Sequence, residues 1–265
     1  MMITLIILGL IFFLTAILSV SKKVSIETAF PPQWRNILEE EIHYYQQLSS
    51  EDKIVFEKRV QTFLAEKKIT GVDVSVDDRT RVMVAASAVI PAFAFEGYNY
   101  PTIKEVLLYS STFNDSFLHP NQEMKQDHIS GMVGEGPLSQ VVMLSKTHLI
   151  SDFEHRNQHH NVGIHEFTHL LDKTDGIVDG IPENLLEKKN RDPWLNEMHK
   201  EVQKIRAGSS DISPYALTND AEFFAVASEY FFVSPVEFKK KHPELLAYLQ
   251  KIFQQDLSSD TVKND

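Results

Sequence analysis

His165-Glu166-Phe167-Thr168-His169 is the stretch that decides how this chain is read. The spacing H-E-x-x-H puts two imidazoles on one helix face, about 40° apart and one turn up. Both can then reach one zinc ion at roughly 2.0–2.1 Å. Glu166 is offset by about 100° from His165. It is placed to serve water on that metal rather than the metal itself, as a general base does in metal-assisted hydrolysis. Val162, Ile164, Phe167, Leu170 and Leu171 make the flanks apolar, so the helix is expected to be buried. An ordinary helix with a polar His pair is the bland alternative. It leaves two His and a Glu in an apolar setting without partners, and a metal satisfies them.

Two histidines do not complete a catalytic zinc site, which takes three protein ligands and one open position. The stretch from Glu222 through Phe223, Phe224 and Ala225 to Phe232 is apolar nearly all round and reads as a buried helix. A carboxylate there needs a partner. Glu222, at its start, is the favoured third ligand. Glu229 follows two turns later on the same face and competes with it, or accepts a hydrogen bond that orients a ligand imidazole. Asp172, three residues after His169, has two equal readings: acceptor for a ligand imidazole, or helix end. His155, His159 and His160 have no helical or strand spacing to the site and read as solvated loop residues.

The chain has 265 residues, enough for one domain or a tightly joined pair. Its net charge of −11, with no basic cluster, argues against a nucleic-acid partner. It has no cysteine, which excludes disulfides, thiolate-held zinc and a thiol nucleophile. Residues 1–20 carry no charged side chain. A run of about 20 apolar residues spans a bilayer core. No Lys or Arg precedes it and Ala16-Ile17-Leu18 is a poor cleavage site, so residues 1–23 read as an uncleaved transmembrane anchor. Lys22 and Lys23 then place the rest of the chain in the cytoplasm.

Beyond the anchor, helical spacing is expected over 34–48, over 49–68, over 81–95 ending near Pro91, over 193–205, over 221–232 behind an Asn219-Asp220 cap, and from Pro235 onward. Asn161 is the expected cap of the metal helix. Strands are expected at 71–76, 106–109 and 140–144, with a long polar loop over 114–137. The class is α+β, mainly α-helical with a small sheet, over 24–256, with a disordered tail over 257–265. The strand at 140–144 is the expected edge on which a substrate peptide would lie.

The run from His165 to Leu170-Leu171-Asp172, then Tyr215-Ala216 and Glu222 to Phe232, resemble the Mlc titration factor A family. Trp34-Arg35-Asn36-Ile37-Leu38, Ala85-Ala86-Ser87-Ala88 and the 106–113 region are similar too, so the resemblance covers residues 30–256. These are bacterial zinc peptidases similar to the catalytic domain of anthrax lethal factor. The resemblance implies a zincin-like peptidase domain with one Zn2+ per chain, held by His165, His169 and Glu222. It implies Glu166 as base, Tyr215 as donor to the oxyanion, and a peptide or protein substrate. With the anchor it implies a single-pass protein of the bacterial inner membrane. The family is named for titrating a glucose-responsive repressor, so the alternative is a binding module that sequesters a transcriptional regulator. Two features depart from the family: the apolar N-terminal run, and the 114–137 segment, which matches no family motif.

Overall fold

A sheet of four short strands supports one side of the helix that carries His165 and His169. The strands are β1 (Lys68–Val72), β2 (Glu105–Tyr109), β3 (Gly131–Val133) and β4 (Val141–Ser145), ordered β1-β2-β4-β3. The first three in that order run parallel, and β3 returns antiparallel with Met132 opposite Met143. The computed structural model describes residues 29–113, 129–155 and 159–257. The expected anchor at 1–23 and tail residues 258–265 lie outside the described residues. Among the described residues no helix is long and apolar enough to cross a membrane.

The remaining elements are helices, in chain order α1 (Pro32–Glu41), α2 (His43–Gln46), α3 (Ser50–Glu66), α4 (Asp78–Ala92), α5 (Lys146–Glu154), α6 (Val162–Asp172), α7 (Arg191–Arg206), α8 (Asp220–Val233), α9 (Pro235–Lys241) and α10 (Pro243–Phe253). The molecule is thus mainly helical with a small mixed sheet. Ser49, Asp77, Asn161 and Asn219 each cap a helix start with a side-chain oxygen, which satisfies an otherwise orphaned N–H.

The structure corrects several expectations. The strand at 140–144 is not the edge. It pairs on both sides, and Val142, Met143 and Leu144 are fully buried. The edge next to it is β3, three residues inside the stretch read as a loop, and β1 forms the opposite edge. The strand expected at 71–76 stops at Val72, because Asp73 turns the chain at φ 56°. The helix over 34–48 breaks at Ile42, whose backbone is extended. The last helical segment splits at His242 because the residue before a proline disfavours the helical region.

Every residue of α6 is buried. It lies against α4, α8 and the sheet, with Phe167 packed on Phe63 and Tyr100. Gly163 makes the α4 crossing close: a Cβ there would stand 2.2 Å from Ser87 Oγ and 2.5 Å from Ser87 Cβ. Behind α8, the corner of α7, α9 and α10 holds a polar network. Glu201 accepts from Lys204 Nζ at 2.8 Å and Ser210 Oγ at 2.6 Å. His242 places Nε2 2.7 Å from Asp211 Oδ1. Its Nδ1 lies 3.1 Å from Glu201 Oε1, a charge contact out of line for a hydrogen bond. Burial opposes the His242 cation, but Glu201 and Asp211 outweigh it and raise its pKa. Burial likewise opposes the carboxylates, yet their cationic partners hold Glu201 down at about 2 and Asp211 below its usual value.

Two outcomes follow from this packing. Gly163→Ala should cost about 1–3 kcal/mol by overpacking, and adding Ser87→Gly should recover part of it in denaturant unfolding. A double variant as unstable as the sum of the two single changes contradicts the contact. The His242 contribution is complete below about pH 6.5 and fades as pH rises through its raised folded value, while the carboxylate contributions fade as pH falls below about 4. The stability gap between wild type and His242→Gln should therefore peak near pH 5–6 and narrow above pH 7. A gap that widens above pH 7 contradicts the network.

Candidate metal centre

The site begins with the cap of α6. Asn161 Oδ1 accepts from Ile164 N at 2.9 Å, and Asp152 of α5 accepts from Val162 N at 2.8 Å. The first turn is fixed from two sides, so His165 and His169 project on one face. Their Nε2 atoms stand 3.1 Å apart. Glu222, in the first turn of α8, places Oε2 3.0 Å from His165 Nε2 and 3.5 Å from His169 Nε2. Three donor atoms from two helices therefore converge.

Glu229 serves the other side of the same imidazole. Its Oε1 accepts from His165 Nδ1 at 2.6 Å. Its Oε2 accepts from Asn161 N at 2.7 Å and pairs with His160 Nδ1. With Nδ1 committed, His165 Nε2 is the nitrogen free to face the cluster. This separates the two carboxylates that periodicity left together: Glu222 faces the paired Nε2 atoms, and Glu229 lies behind His165.

The electrostatics agree. Burial opposes both carboxylates, but the imidazoles overcome it and hold Glu222 and Glu229 at about 2. Burial opposes the His165 cation too, and Glu229 and Glu222 outweigh it, so its pKa stands well above the ordinary value. Such a group is a concentrated charge cluster, the kind of site a divalent cation stabilises. The donor set also fits a zinc ion: bonds of 2.0–2.1 Å at tetrahedral angles put donors about 3.3–3.4 Å apart, against 3.0–3.5 Å here. His169 Nδ1 is buried without a hydrogen-bond partner among the described residues.

Glu166 is beside this cluster and not in it. Its buried carboxylate lies against β3, where a Cβ on Gly131 would stand 2.6 Å from Oε1. Glycine at 131 is what lets the edge strand approach. Burial raises the Glu166 pKa, and the two imidazoles only partly offset it. Tyr215 sits in a 3-10 turn (Pro214–Leu217), its ring centroid 6.0 Å from that of His165 and its side chain half-exposed. Burial first, then Glu222 and Glu166, push its pKa up to about 12, so it remains a donor near neutral pH.

Expectations for four further residues also meet the structure. Asp172 accepts from Gly180 N at 2.7 Å and makes no hydrogen bond to His169, so it ties the following loop to the helix end. Burial raises its pKa to about 7. His160 is not merely solvated, because it is part of the Glu229 cluster. His159 is not either: it stacks on Tyr230 at 3.9 Å and its Nδ1 lies 3.0 Å from Ser234 Oγ. His155 is an exposed loop residue, as read.

A cleft runs past the cluster along β3. One lobe, of 680 Å³, lies beside Val162, His160, Tyr215, Val226 and Tyr230. The other, of 810 Å³, lies beside Met132, His169, Lys173, Val178 and Glu222. His165, Glu166 and Tyr215 line both.

Two helices that bring His, His and Glu together, with a buried Glu alongside in a cleft, make a centre of metallopeptidase type. The chain belongs to the glucose-regulated metallo-peptidase M90 family, whose model matches residues 19–254. It is similar to an uncharacterized protein of Synechocystis sp., at 29% identity over 241 residues, 88% of this chain and 87% of that one. It is also similar to Mlc titration factor A of Escherichia fergusonii, at 27% over 230 residues, 81% and 82% of the two chains. With Mlc titration factor A of Pectobacterium atrosepticum it shares 33% over 104 residues, 36% and 38% of the two.

The geometry ranks the two α8 carboxylates. Glu229→Ala should weaken zinc binding by about 10–100-fold, and Glu222→Ala by more, as measured by competition with a chelating dye. The reverse order contradicts the assignment.

Proposed function

We propose that this chain is a zinc-dependent peptidase of zincin type that hydrolyses peptide bonds in a peptide or protein substrate. The observation that carries the proposal is the convergence of His165 Nε2, His169 Nε2 and Glu222 Oε2 beside the buried carboxylate of Glu166. Those three side chains would hold one zinc ion, which would supply Lewis acidity toward a carbonyl oxygen and make water easier to deprotonate.

The other roles belong to the chain itself. Glu166 takes a proton from water and returns it to the leaving nitrogen. Its raised pKa suits both halves of that transfer. The Tyr215 hydroxyl, still protonated at neutral pH, donates to the carbonyl oxygen as that oxygen gains charge. Glu229 holds the His165 ring in the tautomer that turns Nε2 inward. An extended peptide pairs with the outer edge of β3, adding backbone hydrogen bonds that are indifferent to side chains. The charge-free run at 1–20, followed by Lys22 and Lys23, anchors the domain at the cytoplasmic face of a bacterial inner membrane.

A second reading is favoured by the name Mlc titration factor A carried by relatives that this chain matches over most of its length. In it the domain sequesters a transcriptional regulator and cleavage is secondary.

Glu166→Gln separates the two. The amide is nearly isosteric and cannot take the proton. The variant should keep its zinc and its unfolding midpoint while peptide cleavage falls by about 10²–10⁴-fold. Activity within about tenfold of wild type would remove Glu166 from the base role. Full biological complementation by the same variant would favour sequestration.

A further inference from the structure

Tyr215 reaches the site on a segment that is pinned by a residue outside the metal centre. The Tyr215 hydroxyl makes no hydrogen bond among the described residues, so its place is set by the backbone of its turn. Within the turn, Ser213 Oγ accepts from Tyr215 N at 3.3 Å and Thr218 Oγ1 donates to Tyr215 O at 2.8 Å. Ala216, at 1% exposure, is sunk against α8. These contacts seat the C-terminal half of the turn on α8 and α7.

Asp211, four residues before Tyr215, holds the other end. Its Oδ2 accepts from Tyr230 OH of α8 at 2.8 Å and from Lys241 Nζ of α9 at 2.7 Å. Its Oδ1 is 2.7 Å from Nε2 of His242, at the junction of α9 and α10. One carboxylate thus gathers three donors from three places in the helical layer. The neighbouring Ser210 adds a bond to Glu201 of α7, and Ile212 is 2% exposed. The chain is held immediately upstream of the turn by charge-assisted bonds, which are shorter and stronger than neutral ones.

We propose that Asp211 is the positioning residue for Tyr215, setting the distance from its hydroxyl to the reacting carbonyl through residues 211–215. The proposal rests on the role given to Tyr215 above. Asp211 makes no hydrogen bond to His165, His169 or Glu222, and although it lines the same cleft lobe as Tyr215, both of its carboxylate oxygens are engaged by donors of the protein. Those bonds act on the reaction through geometry. A misplacement on the order of 1 Å can cost up to about 100-fold in rate.

The test uses full-length, zinc-loaded protein carrying Asp211→Asn, Tyr215→Phe or both. The readouts are zinc content, kcat and KM on a fluorogenic peptide that wild type cleaves, and amide hydrogen exchange across 212–217. Asp211→Asn should keep one zinc and lower kcat by about tenfold with KM within about twofold. It should speed exchange across 212–217 and leave α6 unchanged. Added to Tyr215→Phe, it should lower kcat little further, because the group it positions is gone. An equal loss of kcat in both backgrounds overturns the proposal, as does wild-type exchange across 212–217. If Tyr215→Phe alone leaves kcat unchanged, the catalytic role of Tyr215 falls, and the exchange measurement alone decides whether Asp211 holds the turn. Should Asp211→Asn fail to fold, Tyr230→Phe removes one of the three donors and should give the same pattern at smaller amplitude. An unchanged kcat and unchanged exchange in that variant would overturn the proposal.

Discussion

Glu229 is a carboxylate at 1% exposure with every contact made inside the protein. A charge so placed is tolerable only when it is fully paired. Its partners are the His165 ring, the His160 ring and the backbone N–H of Asn161. Much of the site follows from that requirement. The cap of α6, the rotation of His165 and the docking of α8 on α6 are fixed together. α8 then presents Glu222 two turns earlier on the same face, at the mouth of the cleft. The price is a helix buried along almost its whole length, and the sequence supplies it with Phe223, Phe224, Phe231 and Phe232.

The remaining walls of the site depend on two glycines. Gly163 brings α6 onto α4, and Gly131 brings the edge strand onto Glu166. Glu166, the proposed base, is thereby sandwiched between its own helix and β3. Desolvation raises its pKa from the usual carboxylate range while the imidazoles restrain the shift. The same packing keeps Glu166 out of the donor cluster. It faces β3, whereas Glu222 faces the paired Nε2 atoms.

Much of this was legible in the sequence because it rests on local rules. The H-E-x-x-H spacing, the Asn161 cap and the apolar helix from 220 onward are all visible as periodicity and capping chemistry. What was not legible depends on contacts between distant segments. Periodicity placed Glu222 and Glu229 on one face, but only the docking of α8 on α6 determines which of them meets the Nε2 pair. Gly131-Met132-Val133 is too short for an alternation signal, so the edge strand leaves no mark in the sequence and the neighbouring apolar run reads as the edge in its place. His160 precedes the cap with no periodic relation to His165, and its link runs through a residue 69 positions away. The turn at Asp73 and the break at Ile42 depend on single backbone angles that apolar spacing does not encode.

The central claim is that His165, His169 and Glu222 hold a resident zinc ion. Metal analysis by mass spectrometry on protein purified without added metal tests it most directly, with His169→Ala prepared in parallel. The account predicts close to one zinc per chain in the wild-type protein and almost none in the variant, with the variant still folded by circular dichroism. Stoichiometric zinc surviving in His169→Ala would contradict it, as would a wild-type protein that neither carries zinc nor takes it up.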